Sequence, residues 1–106
     1  MDTQLKKGVL DLCILSLLME EDYYGYRLTE KLAEYMLINE GTIYPILRKL
    51  KEEKFLETYL QEESGGPPRK YYKITAQGKI RYKYLLNEWT SFNNKVKQIL
   101  RSGENE

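Results

Sequence analysis

The length of 106 residues corresponds to one domain. Charged residues make up 31% of the chain and hydrophobic residues 42%, which is the composition of an ordinary globular protein. The absence of histidine disfavours metal sites and histidine-based acid–base chemistry, and the single cysteine, Cys13, excludes an intramolecular disulfide. No signal peptide is evident, and the longest apolar run falls short of the roughly 20 residues that span a bilayer. We therefore expect a cytoplasmic protein with no membrane partner, no cofactor and no metal, and not an enzyme.

Charge is distributed unevenly along the chain, although the formal net charge is only +1. Residues 1–40 hold four Lys/Arg against eight Asp/Glu, whereas residues 41–83 hold ten against five. The positive charge is therefore concentrated in the middle of the chain. A compact cationic patch of this kind is typical of a nucleic-acid-binding surface.

The first predicted element is a helix over residues 5–19. Between residues 9 and 19, every position except Asp11 and Ser16 is apolar. A helix that is apolar all round is buried all round, and a domain of this size is too small to cover both faces of a terminal helix. We predict that a second copy of the chain covers one face; the alternative is a helix enclosed within one subunit. The residues predicted for the contact between copies are Leu10, Ile14 and Leu17.

Two further helices are predicted, joined by a short connection. Residues 20–22 end the first helix, and residues 24–36 carry apolar side chains at helical spacing. Residues 37–39 then lead into the stretch 39–55, which is amphipathic and basic on its exposed face. This arrangement is typical of a helix-turn-helix.

The third predicted helix, in the stretch 39–55, separates its residues into two faces at about 100° per residue. The apolar face consists of Ile43, Ile46, Leu47 and Leu50. The opposite face and its flanks consist of Gly41, Pro45 and Arg48, with Thr42, Tyr44 and Lys49 beside them. An ordinary surface helix is the alternative interpretation. Asn39 can cap the helix, and Thr42 competes with it because Pro45 fits best in a first turn.

The periodicity changes from helical to alternating after Phe55. Residues 56–62 and 69–75 read as two strands, and residues 64–68, SGGPP, read as the turn between them. Following a helix-turn-helix, this β-hairpin is expected to form a wing, with cations at the start of its second strand. A solvated hairpin without a partner is the alternative.

The last predicted element is a helix over about residues 76–100, with Thr75 as its cap. Its apolar residues recur at spacings of three and four, which is typical of a helix that packs against another helix. They are Tyr82, Leu85, Trp89, Phe92, Val96 and Ile99. The predicted organisation is a DNA-binding unit over residues 1–75, a dimerisation helix over residues 76–101 and a flexible tail over residues 102–106.

Two sequence signatures resemble the PadR family of bacterial transcription regulators. Residues 41–50, GTIYPILRKL, match the pattern G-T-x-Y-P-x-L-x-x-L, and residues 66–75, GPPRKYYKIT, match the wing pattern that follows it. Together with Gly78, they resemble the short subfamily with a single long C-terminal helix. One departure is Phe55, which stands where the family usually has glycine to end the recognition helix.

The resemblance implies a winged helix-turn-helix, mainly α with a small β-hairpin and a long C-terminal dimerisation helix. It further implies a homodimeric repressor on a near-palindromic DNA operator, released by a small hydrophobic or aromatic effector. The contacts expected between copies in this helix are Leu85, Trp89, Phe92, Val96 and Ile99. A winged-helix protein-interaction module without operator binding is the alternative function.

The front of the third helix is expected to enter the major groove, with Arg48 favoured over Lys49 for base readout because a guanidinium pairs bidentately with guanine. Arg69 and Lys70 are expected to hold phosphate or reach the minor groove. The full set of predicted DNA contacts is Asn39, Gly41, Thr42, Tyr44, Pro45, Arg48, Lys49, Gly65, Gly66, Arg69, Lys70 and Lys73. An effector slot is predicted at Trp89, Phe92 and Asn93, with a simply packed aromatic core as the alternative.

Overall fold

The computed structural model describes residues 3–62 and 65–104. Four helices and three strands follow in the order α1 Thr3–Glu20, β1 Tyr23–Tyr24, α2 Gly25–Ala33, α3 Glu40–Glu52, β2 Leu56–Gln61, β3 Arg69–Ile74 and α4 Ala76–Glu104. The strands form one antiparallel sheet in the order β1-β3-β2. The predicted mainly helical winged helix-turn-helix with a long C-terminal helix is confirmed.

The sheet contains a strand that the sequence analysis missed. Tyr23 and Tyr24 pair with Tyr72 and Tyr71 of β3, so the predicted β-hairpin is extended to three strands. Tyr24 has an extended backbone, and α2 therefore begins at Gly25. The prediction of a helix over residues 24–36 is wrong at both ends, because two adjacent tyrosines favour the strand and α2 ends in a turn after Ala33.

Asn39 caps the start of α3. Its backbone is extended, and its Oδ1 accepts a hydrogen bond from the Thr42 N–H at 3.2 Å. The competing cap, Thr42, lies inside the helix. Pro45 is also inside the helix and has no N–H for the carbonyl of Gly41, but both residues are exposed, so water can satisfy that carbonyl.

The end of α3 differs from the prediction by a few residues. The helix ends at Glu52, and Lys54 adopts the left-handed conformation, with φ of 68°. The Phe55 N–H donates to the Leu50 carbonyl at 2.9 Å and the Lys54 N–H to the Lys51 carbonyl at 3.0 Å, which is a Schellman motif. The position that favours glycine is therefore Lys54, and the expectation that it is Phe55 is wrong.

The core encloses much of α1 within a single chain. Leu10 and Ile14 are 1% and 0% exposed, and Ile14 packs in a cluster with residues of α2, α3 and the sheet. The prediction that these two side chains contact a second copy is wrong, because α4 and the winged domain already cover that face. Leu17 remains half-buried and accessible at its edge. The enclosed-helix alternative thus describes most of α1.

Thr75 fixes the start of α4 against the end of α3. Its Oγ1 accepts from the Gly78 N–H at 3.0 Å and donates to the Lys54 carbonyl at 2.7 Å. Gly78 lies against the Phe55 carbonyl so closely that no Cβ fits there. This junction sets the direction in which α4 leaves the winged domain.

The helix α4 continues to Glu104, so the expected tail is helical over residues 102–104. Residues 105–106 of that tail lie outside the described residues, as do residue 63 and residue 64, the first residue of the predicted wing turn. The predicted first strand of the wing ends at Gln61, one residue earlier than expected. Within residues 3–62 and 65–104, no helix is long and apolar enough to cross a membrane.

Candidate nucleic-acid interface

The outer face of α3 carries the predicted recognition residues. Gly41, Pro45 and Arg48 are exposed on this face, as the helical projection predicts. Thr42 is half-buried at the first turn, where its N–H is bonded to Asn39. The face is therefore smooth near the start of the helix and cationic one turn later, which suits close approach to DNA followed by readout from Arg48.

Tyr44 is partly exposed to solvent and also packs against α2. Its ring packs on Gly25 at the start of α2. Partial burial, together with the charge of Glu40, raises the pKa of Tyr44. The phenol is therefore neutral at pH 7 and can act as a hydrogen-bond donor.

A cleft of about 450 Å³ separates α3 from the wing. Its walls come from the β1–α2 junction, α3 and β3, and they consist of Tyr24, Gly25, Tyr26, Tyr44, Arg48, Lys51, Arg69, Lys70 and Tyr72. Four of these side chains are cationic and none is acidic. Three of the four, Arg48, Arg69 and Lys70, are among the predicted DNA contacts.

Four side chains of the cleft were not among the predicted DNA contacts: Lys51, Tyr24, Tyr26 and Tyr72. Lys51 follows Arg48 by three residues, and this spacing places the two cations on the same side of α3. Tyr24 and Tyr26 could not be assigned, because their position depends on the unpredicted strand β1. Burial raises the pKa of Tyr72, which lies at the cleft floor and stays protonated at neutral pH.

Arg69 is oriented by a row of aromatic side chains on the outer face of the sheet. Its guanidinium carbon lies 4.4 Å from the centre of the Tyr24 ring. Tyr24 meets Tyr71 edge-on at 5.5 Å, and Tyr71 stacks on Tyr59 at 5.6 Å. The row crosses all three strands, so the position of Arg69 is tied to the whole sheet.

Tyr59 ends this aromatic row with a hydrogen bond to the segment before β1. Its hydroxyl donates to Asp22 Oδ2 at 2.7 Å. That bond to a carboxylate is the main reason why the pKa of Tyr59 is raised to about 12. The phenolate form would lose the bond and face the carboxylate charge.

Lys73, Gly65 and Gly66 lie away from the cleft. Lys73 shares the outer face of β3 with Tyr71, because alternate residues of a strand point to the same side. Gly65 and Gly66 are exposed at the wing tip, and Gly65 has a left-handed φ of 82°. Lys73 extends the cationic surface along the wing, and none of the three residues lines the cleft.

The ammonium group of Lys49 is turned toward α1. Its Nζ lies 2.6 Å from Asp11 Oδ2. Lys49 therefore stands on the flank of α3, with its charge paired to Asp11 of α1. Of the two cations considered for base readout, Arg48 alone lines the cleft.

The family of the chain follows from comparison with known proteins. A model of the "Transcriptional regulator PadR-like family" matches residues 14–84, a span that includes α2, α3, the wing and the first turns of α4. The chain belongs to the PadR-like family of transcriptional regulators. Members of this family are DNA-binding transcriptional regulators and not enzymes.

Solved structures of PadR-like and other transcriptional regulators have the same fold. A PadR-like transcriptional regulator from Bacillus cereus is 38% identical, with a TM-score of 0.84 over 92% of this chain and 97% of that chain. A Streptococcus transcriptional regulator is 35% identical, with a TM-score of 0.84 over 92% and 98% of the two chains. Uncharacterized protein X from Lysinibacillus sphaericus is 35% identical over 98 residues, which cover 89% of this chain and 86% of that protein.

The α4 helix of this PadR-like chain exposes several large apolar side chains. Phe92 and Ile99 are 57% and 71% exposed, and Trp89 is also exposed. Leu85 packs partly against the core, and Val96 is half-buried. The predicted series therefore begins on the core at Leu85 and continues onto an uncovered surface. Further exposed apolar residues, which sequence reasoning did not select, are Ile80, Tyr84, Leu86 and Leu100.

Trp89 stands between two apolar hollows. The first, of about 420 Å³, is lined by Leu12, Cys13, Ser16, Leu17, Leu32, Tyr35, Met36, Tyr82, Leu86 and Trp89. The second, of about 340 Å³, is lined by Gly8, Val9, Leu12, Leu85, Glu88, Trp89 and Phe92. Asn93 lines neither hollow, so the polar group predicted for the effector slot is absent from both walls.

Proposed function

We propose that the protein is a homodimeric repressor that occupies a near-palindromic operator and is released by a small apolar or aromatic effector. The observation that carries the DNA-binding part is the convergence of Arg48, Lys51, Arg69 and Lys70 on one cleft beside the exposed face of α3. A helix face that is merely solvated would not explain why cations from two separate elements, α3 and β3, meet around one cleft. Their arrangement favours contact with the two edges of one groove.

In this proposal the first turns of α3 lie in the major groove. Gly41 and Pro45 present little side-chain bulk, so the helix can approach the base edges closely. Arg48 follows them and can donate two parallel hydrogen bonds to guanine, a contact that discriminates between bases by about 1–3 kcal/mol. Thr42 and Tyr44 supply hydroxyl groups for phosphate or base contacts.

The remaining cations of the cleft hold the DNA backbone. Lys51, Arg69 and Lys70 are placed to neutralise phosphates, and Gly65 and Gly66 let the wing tip approach the neighbouring groove. The N-terminus of α2 also opens onto the cleft at Gly25 and Tyr26. Its cap residue, Tyr24, makes no side-chain hydrogen bond to the helix, and free N–H groups at a helix start attract phosphate.

The exposed apolar side of α4 supports the dimer. Trp89, Phe92 and Ile99 repeat at spacings of three and seven, so a second α4 related by a two-fold axis could cover them. Leu17 lies at the edge of the same surface. Two recognition helices held in this way would read half-sites about 34 Å apart on one face of the duplex.

The two hollows beside Trp89 support an effector site. Their walls are mainly aliphatic and aromatic, which is the usual lining of a small-molecule pocket. In a dimer the hollows would lie next to the contact between subunits. A ligand there would change the angle between the two winged domains and so weaken simultaneous binding to both half-sites.

The test is duplex binding as a function of salt. Fluorescence anisotropy would compare labelled DNA from upstream of the gene with a scrambled duplex of equal length, between about 50 and 200 mM salt. A repressor of this kind binds the upstream fragment more tightly and loses affinity steeply as salt rises. The same weak affinity for both duplexes, with no salt dependence, would instead favour a winged-helix protein-interaction module.

A further inference from the structure

We infer that Asp11 is a positioning residue that keeps Lys49 from the DNA, and thereby limits the sequence-independent part of binding. The observation is the ion pair at 2.6 Å between Asp11 in α1 and Lys49 in α3. The two residues are 38 positions apart, whereas the Arg27–Glu30 and Lys31–Glu34 pairs join neighbours on α2. The inference rests on the proposed occupation of DNA by α3.

The two partners differ strongly in burial. The side chain of Asp11 is 12% exposed and that of Lys49 is 49% exposed. Asp11 Oδ1 is buried and has no hydrogen-bond partner among the described residues, so Lys49 supplies the neutralising contact to this carboxylate. A buried carboxylate without a cation is costly, and this cost keeps the ammonium of Lys49 at α1.

The position of Lys49 on α3 would otherwise direct it toward DNA. It follows Arg48 directly, so it lies about 100° from the recognition face, at its flank. A lysine side chain is long and flexible, and its ammonium binds phosphate as a point charge. Without Asp11, Lys49 would join Lys51, Arg69 and Lys70 as a phosphate contact.

An additional phosphate contact would strengthen binding to every sequence. Each neutralised phosphate adds about 0.9 to the slope of log K against log salt, and it adds no base information. Pairing of Lys49 within the protein thus lowers the affinity for operator and random DNA alike and makes binding less dependent on salt. Asp11 therefore sets the sequence-independent part of the affinity through Lys49, without touching DNA.

The experiment measures the salt slope of four proteins on operator and on random duplex: wild type, Asp11→Asn, Lys49→Gln and the double variant. In Asp11→Asn the slope should steepen by about 0.9, so that affinity falls about 3.5-fold more between 50 and 200 mM salt. The ratio of operator to random affinity should stay at the wild-type value, because a phosphate contact strengthens binding to both duplexes equally. Lys49→Gln and the double variant should keep the wild-type slope, since neither adds a free cation.

Two features separate positioning from a merely structural role. Partial unfolding lowers the apparent affinity in proportion to the folded fraction, which circular dichroism measures at each salt concentration, so the slope corrected for that fraction reports on Lys49 itself. Asp11→Glu, which retains the charge, should keep the wild-type slope even if its melting temperature changes. An unchanged slope in Asp11→Asn, or a slope that falls by one phosphate in Lys49→Gln, would overturn the inference. Wild-type protein that binds no duplex at any salt would contradict the proposed function instead.

Discussion

Tyr44 of α3 packs against Gly25 at the start of α2 so closely that a Cβ on Gly25 would lie 2.6 Å from Cε1 of the tyrosine ring. At this distance, a side chain at position 25 would require the Tyr44 ring or the start of α2 to move. The glycine thus lets the two helices of the helix-turn-helix approach each other beside the cationic cleft. Since Tyr44 also lines that cleft, the packing of the two helices and the proposed DNA contact depend on the same ring.

Gly25→Ala should therefore destabilise the fold and weaken operator binding together. Overpacking of this kind costs about 1–3 kcal/mol, because Tyr44 or the start of α2 must move. Gly103→Ala is the matched control, since Gly103 also lies in a helix and has nothing within 4 Å of its Cβ position. Urea unfolding measures both changes. If the two variants are equally stable, the contact between Tyr44 and position 25 accommodates a Cβ without loss of unfolding free energy.

Arg48 and Lys70 are expected to have different effects on DNA binding, although both line the cleft. Arg48→Ala should cost about 1–3 kcal/mol on the operator and relax the preference at one base pair in each half-site. Lys70→Ala should weaken binding to any duplex and flatten the salt slope by about one unit. Anisotropy titrations on operator and random DNA distinguish the two roles. If both variants act alike on both duplexes, Arg48 does not read bases.

The hydrogen bond from Tyr59 to Asp22 should stabilise the protein below pH 10 and cease to do so above pH 12. The pKa of Tyr59 is raised from 10.0 to about 12, mainly by this bond. A group whose pKa is raised on folding contributes stability while it is protonated in both states, and loses it as the pH passes from the unfolded to the folded value. Tyr59→Phe should thus melt at a lower temperature than wild type at pH 8, and the difference should shrink above pH 10. A difference that does not change with pH would exclude the bond as its cause.

The dimer proposal predicts that Phe92→Glu gives folded monomers. Phe92 is mostly exposed in the single chain, so a charge there should leave the fold of each subunit intact. In a dimer, the same change places carboxylates in an apolar contact, where unpaired charges are costly. Sedimentation and circular dichroism measure association and folding separately. Asn94→Glu, at an exposed polar position of the same helix, is the control and should stay dimeric.

The elements that could be predicted are those determined by periodicity and local capping. The apolar face of α3, the Asn39 cap, the Thr75 cap and the alternating pattern of the wing all depend on neighbours in sequence. The strand β1 could not be predicted, because two residues carry no period and their partners in β3 are 49 and 47 positions away. The end of α3 was predicted inexactly for a related reason, because no local sequence pattern indicates that Lys54 adopts the left-handed conformation.

The residues of the candidate site likewise fall into those that local sequence patterns identify and those whose role depends on tertiary packing. Arg48 and Arg69 were identified from helix and strand patterns, whereas the pairing of Lys49 with Asp11 depends on how α1 packs against α3. Burial of Leu10 and Ile14 likewise depends on the path of α4. An apolar helix gives the same sequence pattern whether its own chain or a second chain covers it. Tertiary packing, and no local signal, decides between the two.

Trp89 provides a direct test of the effector proposal, because it is the single tryptophan of the chain and stands between the two hollows. A planar aromatic ligand that enters either hollow should quench or shift its fluorescence. In the proposed mechanism, the ligand should lower the affinity of the protein for operator. Operator should lower the affinity for the ligand by the same factor, because coupling between two binding sites is reciprocal.

The titration uses planar aromatic dyes against tryptophan fluorescence, with and without saturating operator. Cys13→Leu and Phe92→Leu serve as matched changes in the two walls, because Cys13 lines the first hollow and Phe92 lines the second. Weaker dye binding in one variant identifies the hollow that is used. Burial raises the pKa of the Cys13 thiol, so covalent reaction with the dye is disfavoured at neutral pH. Dye binding that leaves Trp89 fluorescence unchanged and operator affinity unaltered would exclude both hollows as the effector site.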